Sequence, residues 1–243
     1  MNIERFDNDD VLASTLATRL LEAISLKPRI VLGLPTGRTP VALYREIRSR
    51  SHRGHVDWSQ VRTFNLDEFV GLGAGDAGSY RAYMQAELFD HVRIEALNIG
   101  LLDGRAANLA AECARYENAI DQAGGIDIQI LGIGGNGHIG FNEPADALDA
   151  ETHVAVLQEA TRAANAGLFG GDLTRVPSHA LSMGMATILN AREIVLMATG
   201  AEKSDVVARM IDGPITTRLP ASFLQLHQRV TVMLDRAAGS RLA

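Results

Sequence analysis

A chain of 243 residues, 47% hydrophobic and 21% charged, is neither disordered nor fibrous, and it is long enough for one large α/β domain with a sizeable core. Aromatics make up only 5%, so aliphatic side chains must fill that core. Lys+Arg 23 against Asp+Glu 29 gives a net charge of −6, which argues against general binding of nucleic acid or of an anionic membrane, and the single Cys113 excludes a disulfide framework and a cysteine zinc site.

Apolar residues Val11, Leu12, Leu16, Leu20, Leu21 and Ile24 recur at helical spacing and predict a helix over 9–26. A short strand over 29–34 follows, and Thr39-Pro40 then opens a helix to about 50. A second strand spans 61–66, and four glycines make 71–78 a loop. Ser79 caps a helix to about 89, and a helix over 106–123 is stopped by Gly124-Gly125. A continuous apolar strand at 127–133 runs into a glycine-rich loop. Beyond it the pattern predicts a strand at 152–157, a helix at 159–169, a loop at 170–178 and a helix at 181–190. A buried strand at 193–199, helices at 202–211 and 220–227 and a last strand at 230–235 complete the chain.

Strands that are apolar on both faces and alternate with helices imply an α/β fold, a mostly parallel sheet with helices on both faces. The absence of an internal repeat, low-complexity tract or linker points to a single domain. No apolar run is long enough to span a bilayer, and the start MNIERFDNDD lacks the pattern of a signal peptide, so a soluble cytoplasmic protein is expected.

Ligands of such sheets bind beyond the carboxyl ends of the strands, which singles out the loops after Leu34, Leu66, Ile133 and Thr199. In the first, Thr36, Gly37, Arg38 and Thr39 precede a helix start, where free N–H groups and the helix dipole favour an anion. Alone, this loop fits an ordinary βα turn better. In the second, Asp67 and Glu68 could serve proton transfer, although neighbours in an extended segment point opposite ways and only one should face a cleft. A helix cap or a solvated acidic turn is the plainer reading. The third loop, 132–144, contains a formal G-x-G-x-x-G, but no helix follows, so a dinucleotide site is not supported. Its Asn136, His138 and Glu143 instead suggest a general base with groups to orient it. Lys203, near a helix start, could meet an anion or simply face solvent. His52, His55, His91, His153, His179 and His227 show no metal-ligand spacing, so no metal is expected. Cys113, Met183, Met185 and Met210 read as core.

Together these loops resemble the glucosamine-6-phosphate deaminase family of the NagB/RpiA-type α/β group, a modified Rossmann-type fold. The resemblance is carried by LGLPTGRTP at 32–40, FNLDEFVGL at 64–72, SYRAYM at 79–84 and ILGIGGNGHIGFNEP at 130–144, and is extended by TRAAN at 161–165, ALSMGMATIL at 180–189 and LQLH at 224–227. It implies conversion of D-glucosamine 6-phosphate and water to D-fructose 6-phosphate and ammonia, without a cofactor. It implies Asp67 as the base that moves the C2 proton to C1, and His138 as the base that opens the pyranose ring, tuned by Glu143 and Asn136. The phosphate would rest on Thr36, Gly37, Arg38 and Lys203, under a lid at about 145–178.

Three departures from the family pattern stand out. Position 136 is Asn where some members have Asp. The stretch holding Asp146, His153, Ala155 and Val156 lacks the basic cluster of allosteric members, so no activation by an amino-sugar phosphate is expected, and a monomer or small homo-oligomer is favoured. Gly167 stands where the lid usually supplies an arginine to the phosphate. Arg38, in the phosphate loop itself, could replace that lost cation, or could pair with a surface acid such as Glu46 or Glu68. Arg162 is a poor substitute, because five residues along a helix turn a side chain by about 140°. A galactosamine-6-phosphate deaminase/isomerase and a non-catalytic sugar-phosphate sensor are the alternatives, though a sensor would need neither Asp67 nor His138.

Overall fold

A computed structural model describes residues 1–51 and 56–242; His52 and His55 lie outside them. The main sheet is built from β1 (Asn2–Phe6), β2 (Val31–Leu34), β3 (Arg62–Asn65), β5 (Ile99–Gly100), β6 (Ile128–Leu131), β9 (Glu193–Ala198) and β10 (Val230–Asp235). Its order is β1-β10-β9-β6-β2-β3-β5, and every pairing is parallel. A second, antiparallel sheet has the order β4-β8-β7, from β4 (Asp67–Phe69), β8 (His179–Ser182) and β7 (His153–Val156).

Alternate strand residues enter two cores, as burial on both faces requires. Leu32, Ile130, Val195 and Met233 pack with Leu12, Leu16 and Leu20 of α1 (Asp9–Leu26), Tyr44 and Ile47 of α2 (Val41–Ser51) and Met84 of α3 (Tyr80–Glu87). Val31, Leu131, Ile194 and Val232 pack on the other face with Tyr116 and Ile120 of α4 (Leu109–Gln122), Ile188 of α6 (Met185–Leu189) and Val207 and Met210 of α7 (Ser204–Asp212). Among the described residues, no helix is long and apolar enough to cross a membrane.

The sequence expectation fails at 181–190, where β8 replaces the first part of the expected helix and α6 begins only at Met185. The reason is non-local. Ala180 and Leu181 pair with β4 on one side and β7 on the other, and their buried side chains look amphipathic in sequence. The edge strand β1, the short β4 and β5 and the second sheet as a whole were not foreseen. The expected helix at 106–123 starts at Leu109, because the Asn108 side chain accepts the Ala111 N–H and so caps it there. The helix at 159–169 divides into α5 (Glu159–Asn165) and a 3₁₀ turn over Ala166–Phe169, and that at 220–227 is 3₁₀.

The chain lays β3 and β5 outward from β2 on one side and β6, β9 and β10 on the other, so the order reverses between β2 and β6. In open α/β sheets the loops leaving the carboxyl ends part at such a reversal, and ligands bind in the crevice between them. The opposite end is closed by Asp127, whose buried carboxylate accepts Lys27 Nζ at 2.7 Å, Arg192 at 3.0 Å and the Val31 N–H at 2.9 Å.

Candidate active site

The turn from β2 to α2 carries Thr36, Gly37 and Arg38. Gly37 has φ +99°, a backbone state that side chains with a Cβ rarely adopt. Two tyrosines brace the turn from behind: Tyr44 of α2 donates to the Pro35 carbonyl at 2.5 Å, and Tyr83 of α3 donates to the Gly37 carbonyl at 2.7 Å. The Thr36 hydroxyl reaches Asp67 Oδ1 at 3.4 Å, joining the first two sequence-predicted loops. Arg38 is exposed; its carbonyl accepts the Val41 N–H at 3.3 Å, and its guanidinium makes no hydrogen bond or ion pair among the described residues. Neither proposed acid partner is free for it. Glu46 pairs with Arg50 at 2.8 Å, and Glu68 is buried elsewhere.

Asp67 and Glu68 diverge as their extended backbone requires. Glu68 turns to the start of α3, where its carboxylate accepts the N–H groups of Phe69, Tyr80 and Arg81 at 2.8, 3.0 and 2.9 Å and the Ser79 hydroxyl at 2.7 Å. Burial raises its pKa against the pull of those donors. Asp67 is also buried, but among the described residues has only Thr36 as a donor. Desolvation, and then the charge of Glu68, push its carboxyl up to about 8. A carboxylate held this way is a strong base close to working pH.

The loop after β6 brings Asn136, His138 and Glu143 together. Glu143 Oε2 stands 3.6 Å from His138 Nδ1 and accepts Asn136 Nδ2 at 2.7 Å. Burial pushes the Glu143 carboxyl up, but hydrogen bonds from His138, Thr161 and Asn136 outweigh it and hold the pKa below the usual carboxylate range. Asn136 Oδ1 accepts the backbone N–H of His138 at 3.2 Å, so Asn136 orients the main chain and Glu143 rather than the ring itself. Gly134 lies under the imidazole: a Cβ there would fall 2.3 Å from the His138 ring.

Lys203 reaches back from the loop after β9, and its Nζ donates to the Ile133 carbonyl at 2.8 Å. Burial lowers its pKa; Glu202 opposes this, and the nearby positive charge of Arg38 adds to it. The charges of Lys203 and Arg38 are thus close enough to act on one another, across the loops after β9 and β2. Among the described residues, no three His, Cys, Asp or Glu side chains group to hold a metal.

The segment expected to be a lid contains β7 and α5. Tyr80 Oη donates to Asn165 at 3.1 Å, and Phe169 packs edge-on against Phe69 at 5.5 Å. Gly167 is exposed and presents no cation, and Arg162 is tied to the carbonyls of Leu173 and Val176 at 3.1 and 3.0 Å. Of the stretch compared with the allosteric cluster, Asp146 is ion-paired with Arg218 and His153 faces Asp149 at 3.7 Å. Sequence reasoning gave no role to Thr161 or Gln158. Thr161 Oγ1 lies 3.5 Å from His138 Nδ1, and the Gln158 N–H donates to Glu143 at 3.3 Å. The TRAAN segment at 161–165 was the only signal for Thr161, and it named no contact.

A family model described as glucosamine-6-phosphate isomerases/6-phosphogluconolactonase matches residues 7–233. The chain is 46% identical over 242 residues to a protein of Clostridium botulinum (strain Kyoto / Type A2) named glucosamine-6-phosphate deaminase, covering 100% of this chain and 99% of that one. It is also 46% identical over 243 residues to glucosamine-6-phosphate deaminase 2 of Bacillus subtilis (strain 168), covering 100% and 98%. A solved structure described as a monomeric glucosamine-6-phosphate deaminase superposes with a TM-score of 0.95 at 40% identity, covering 99% of each chain. A 6-phosphogluconolactonase from Leishmania guyanensis shares the fold, with a TM-score of 0.80 at 23% identity over 100% of this chain and 98% of that one.

Proposed function

The chain belongs to the glucosamine-6-phosphate isomerase/6-phosphogluconolactonase family, and within it we infer that the protein is a glucosamine-6-phosphate deaminase, converting D-glucosamine 6-phosphate and water to D-fructose 6-phosphate and ammonia. End-to-end identity to proteins of that name supports this activity. The roles of individual residues are supported by two separate environments: Asp67 is a desolvated carboxylate with a single long hydrogen bond from Thr36 among the described residues, and His138 is an imidazole backed by the Glu143 carboxylate.

His138 takes the anomeric hydroxyl proton, and the ring oxygen leaves as the C5 hydroxyl to give the open-chain aldehyde. Glu143 backs the imidazole as it gains charge, and Asn136 holds Glu143 and the loop. Asp67 then removes the C2 proton, which the adjacent carbonyl makes acidic, and gives an enol-amine. It returns a proton to C1, and water attacks the resulting C2 imine and expels ammonia. The sugar carbonyl supplies the acidity, so the route needs neither redox chemistry nor a cofactor. Thr36, Gly37, Arg38 and Lys203 take the phosphate, where backbone N–H groups and two cations suit an anion. The 145–178 segment closes over the sugar and keeps water from the open chain.

We also place the protein in the cytoplasm as a monomer or small homo-oligomer; the likeness to a deaminase described as monomeric supports the assembly state. The test of function is purified protein with glucosamine 6-phosphate and EDTA. Equimolar ammonia and fructose 6-phosphate are expected, and a strict requirement for a divalent ion or a nucleotide would contradict the mechanism.

A further inference from the structure

Thr161 belongs to α5, within the 145–178 segment read as a lid, and its hydroxyl lies beside the histidine of the loop after β6. It is buried at 3% exposure and lies 3.5 Å from His138 Nδ1. A carboxylate can only accept, so the Glu143 carboxylate beside Nδ1 favours the ring proton on that nitrogen, and the Thr161 hydroxyl oxygen then presents a lone pair to it. Glu143 Oε2 faces that nitrogen from 3.6 Å. Nδ1 therefore meets two acceptors, which keeps its proton in place and leaves Nε2 as the basic nitrogen.

The two acceptors differ in origin. Glu143 shares the loop of His138 and is held within it by Asn136 at 2.7 Å. Thr161 arrives only with α5, which is anchored by Tyr80 on Asn165 and by Phe169 on Phe69. We propose that Thr161 is a positioning residue that couples the covering segment to His138, so that the Nδ1–H tautomer is fixed, and Nε2 is ready to open the sugar ring, only while α5 is docked. Ring opening is then confined to the closed site. The reactive aldehyde forms only where Asp67 can use it. The proposal rests on the reading of His138 as the ring-opening base.

The test compares Thr161→Val, which keeps the shape and loses the hydroxyl, Thr161→Ser, which keeps the hydroxyl, and His138→Gln. Steady-state kinetics with glucosamine 6-phosphate are measured beside ¹⁵N NMR of the His138 ring, assigned by its loss in His138→Gln. Thr161→Val should lower kcat by about 10-fold, the usual worth of one hydrogen bond to a charged group, with KM little changed. Its ¹⁵N shifts should move from the Nδ1–H pattern to a mixture of tautomers, and Thr161→Ser should restore both readouts. Wild-type kcat and tautomer in Thr161→Val, with His138→Gln impaired, would overturn the coupling and leave the base assignment standing. A loss of kcat with the tautomer unchanged, or one that Thr161→Ser fails to restore, would make Thr161 a packing residue and also overturn it. Wild-type kcat in His138→Gln would remove the reading on which the proposal rests.

Discussion

Burial and the neighbouring Glu68 charge push the Asp67 carboxyl up to about 8, and that shift bears on both activity and stability. A base must be ionised to accept a proton, so kcat/KM should climb as pH rises toward about 8. Stability runs the other way. Below the ordinary value of 3.8 the folded and unfolded chains both hold the proton; between 3.8 and about 8 only the folded chain holds it, so stability falls as pH rises through that window. Asp67→Asn cannot ionise. It should lose roughly 10²–10⁴-fold in kcat with KM little changed, while its melting temperature above neutral pH exceeds that of the wild type. Kinetics and thermal melts across pH check both, and matching melting curves at alkaline pH would refute the burial argument. Arg38 gives a second expectation. Its guanidinium has no partner among the described residues and its charge acts on Lys203, and Gly167 offers no cation. Arg38→Ala should raise KM for the phosphorylated sugar by about 10–150-fold, the worth of one charge-assisted bond, and Gly167→Arg should recover part of it. An unchanged KM would leave the phosphate to Lys203 and the backbone.

At the scale of elements, Glu68 links β4 to the start of α3, where the helix dipole favours a carboxylate. Glu68→Gln presents an amide to donors that need an acceptor. It should cost about 2 kcal/mol, or roughly 4–8 °C in Tm, while leaving most of kcat. With the Glu68 charge gone, the acid limb of the pH profile should move to lower pH, because that charge is one cause of the raised Asp67 pKa. A large loss of kcat at unchanged Tm would reverse the roles of the two acids. Elements ruled by local signals were legible in sequence: the apolar period of α1, the Ser79 cap of α3, the apolar run Ile194–Ala198 of β9 and the mainly apolar β6, broken only by Gln129. The second sheet was not. β4 has three residues and gains its stability from Ala180–Ser182, far along the chain, so no local window could reveal it. The same distinction holds at the site. Asn136, His138 and Glu143 lie on the loop that leaves β6, and Asp67 opens β4 just beyond the end of β3, where the fold class directs attention. Thr161 lies inside a helix, and its meaning comes from where that helix docks.

For the whole molecule, the two ends of the sheet divide the work. At the amino end Asp127 ties β2, β6 and the start of β9 through Val31, its own strand and Arg192. At the carboxyl end the order reverses between β2 and β6; there Thr36 reaches Asp67 across the loops after β2 and β3, and Lys203 reaches the Ile133 carbonyl across those after β9 and β6. Stability is concentrated at one end and chemistry at the other. The resulting claim is that the nitrogen leaves only after the C2 proton has moved, which separates an isomerising deamination from simple displacement of the amine. Glucosamine 6-phosphate carrying deuterium at C2 tests this directly, with the product examined by mass spectrometry and NMR beside ammonia release. The expected result is equimolar ammonia and fructose 6-phosphate, a primary isotope effect on kcat, no deuterium at C2 and part of the label at C1, with all turnover depending on Asp67. Ammonia released with the deuterium still at C2, as in hydrolysis to glucose 6-phosphate, would contradict the account, as would full turnover in Asp67→Asn.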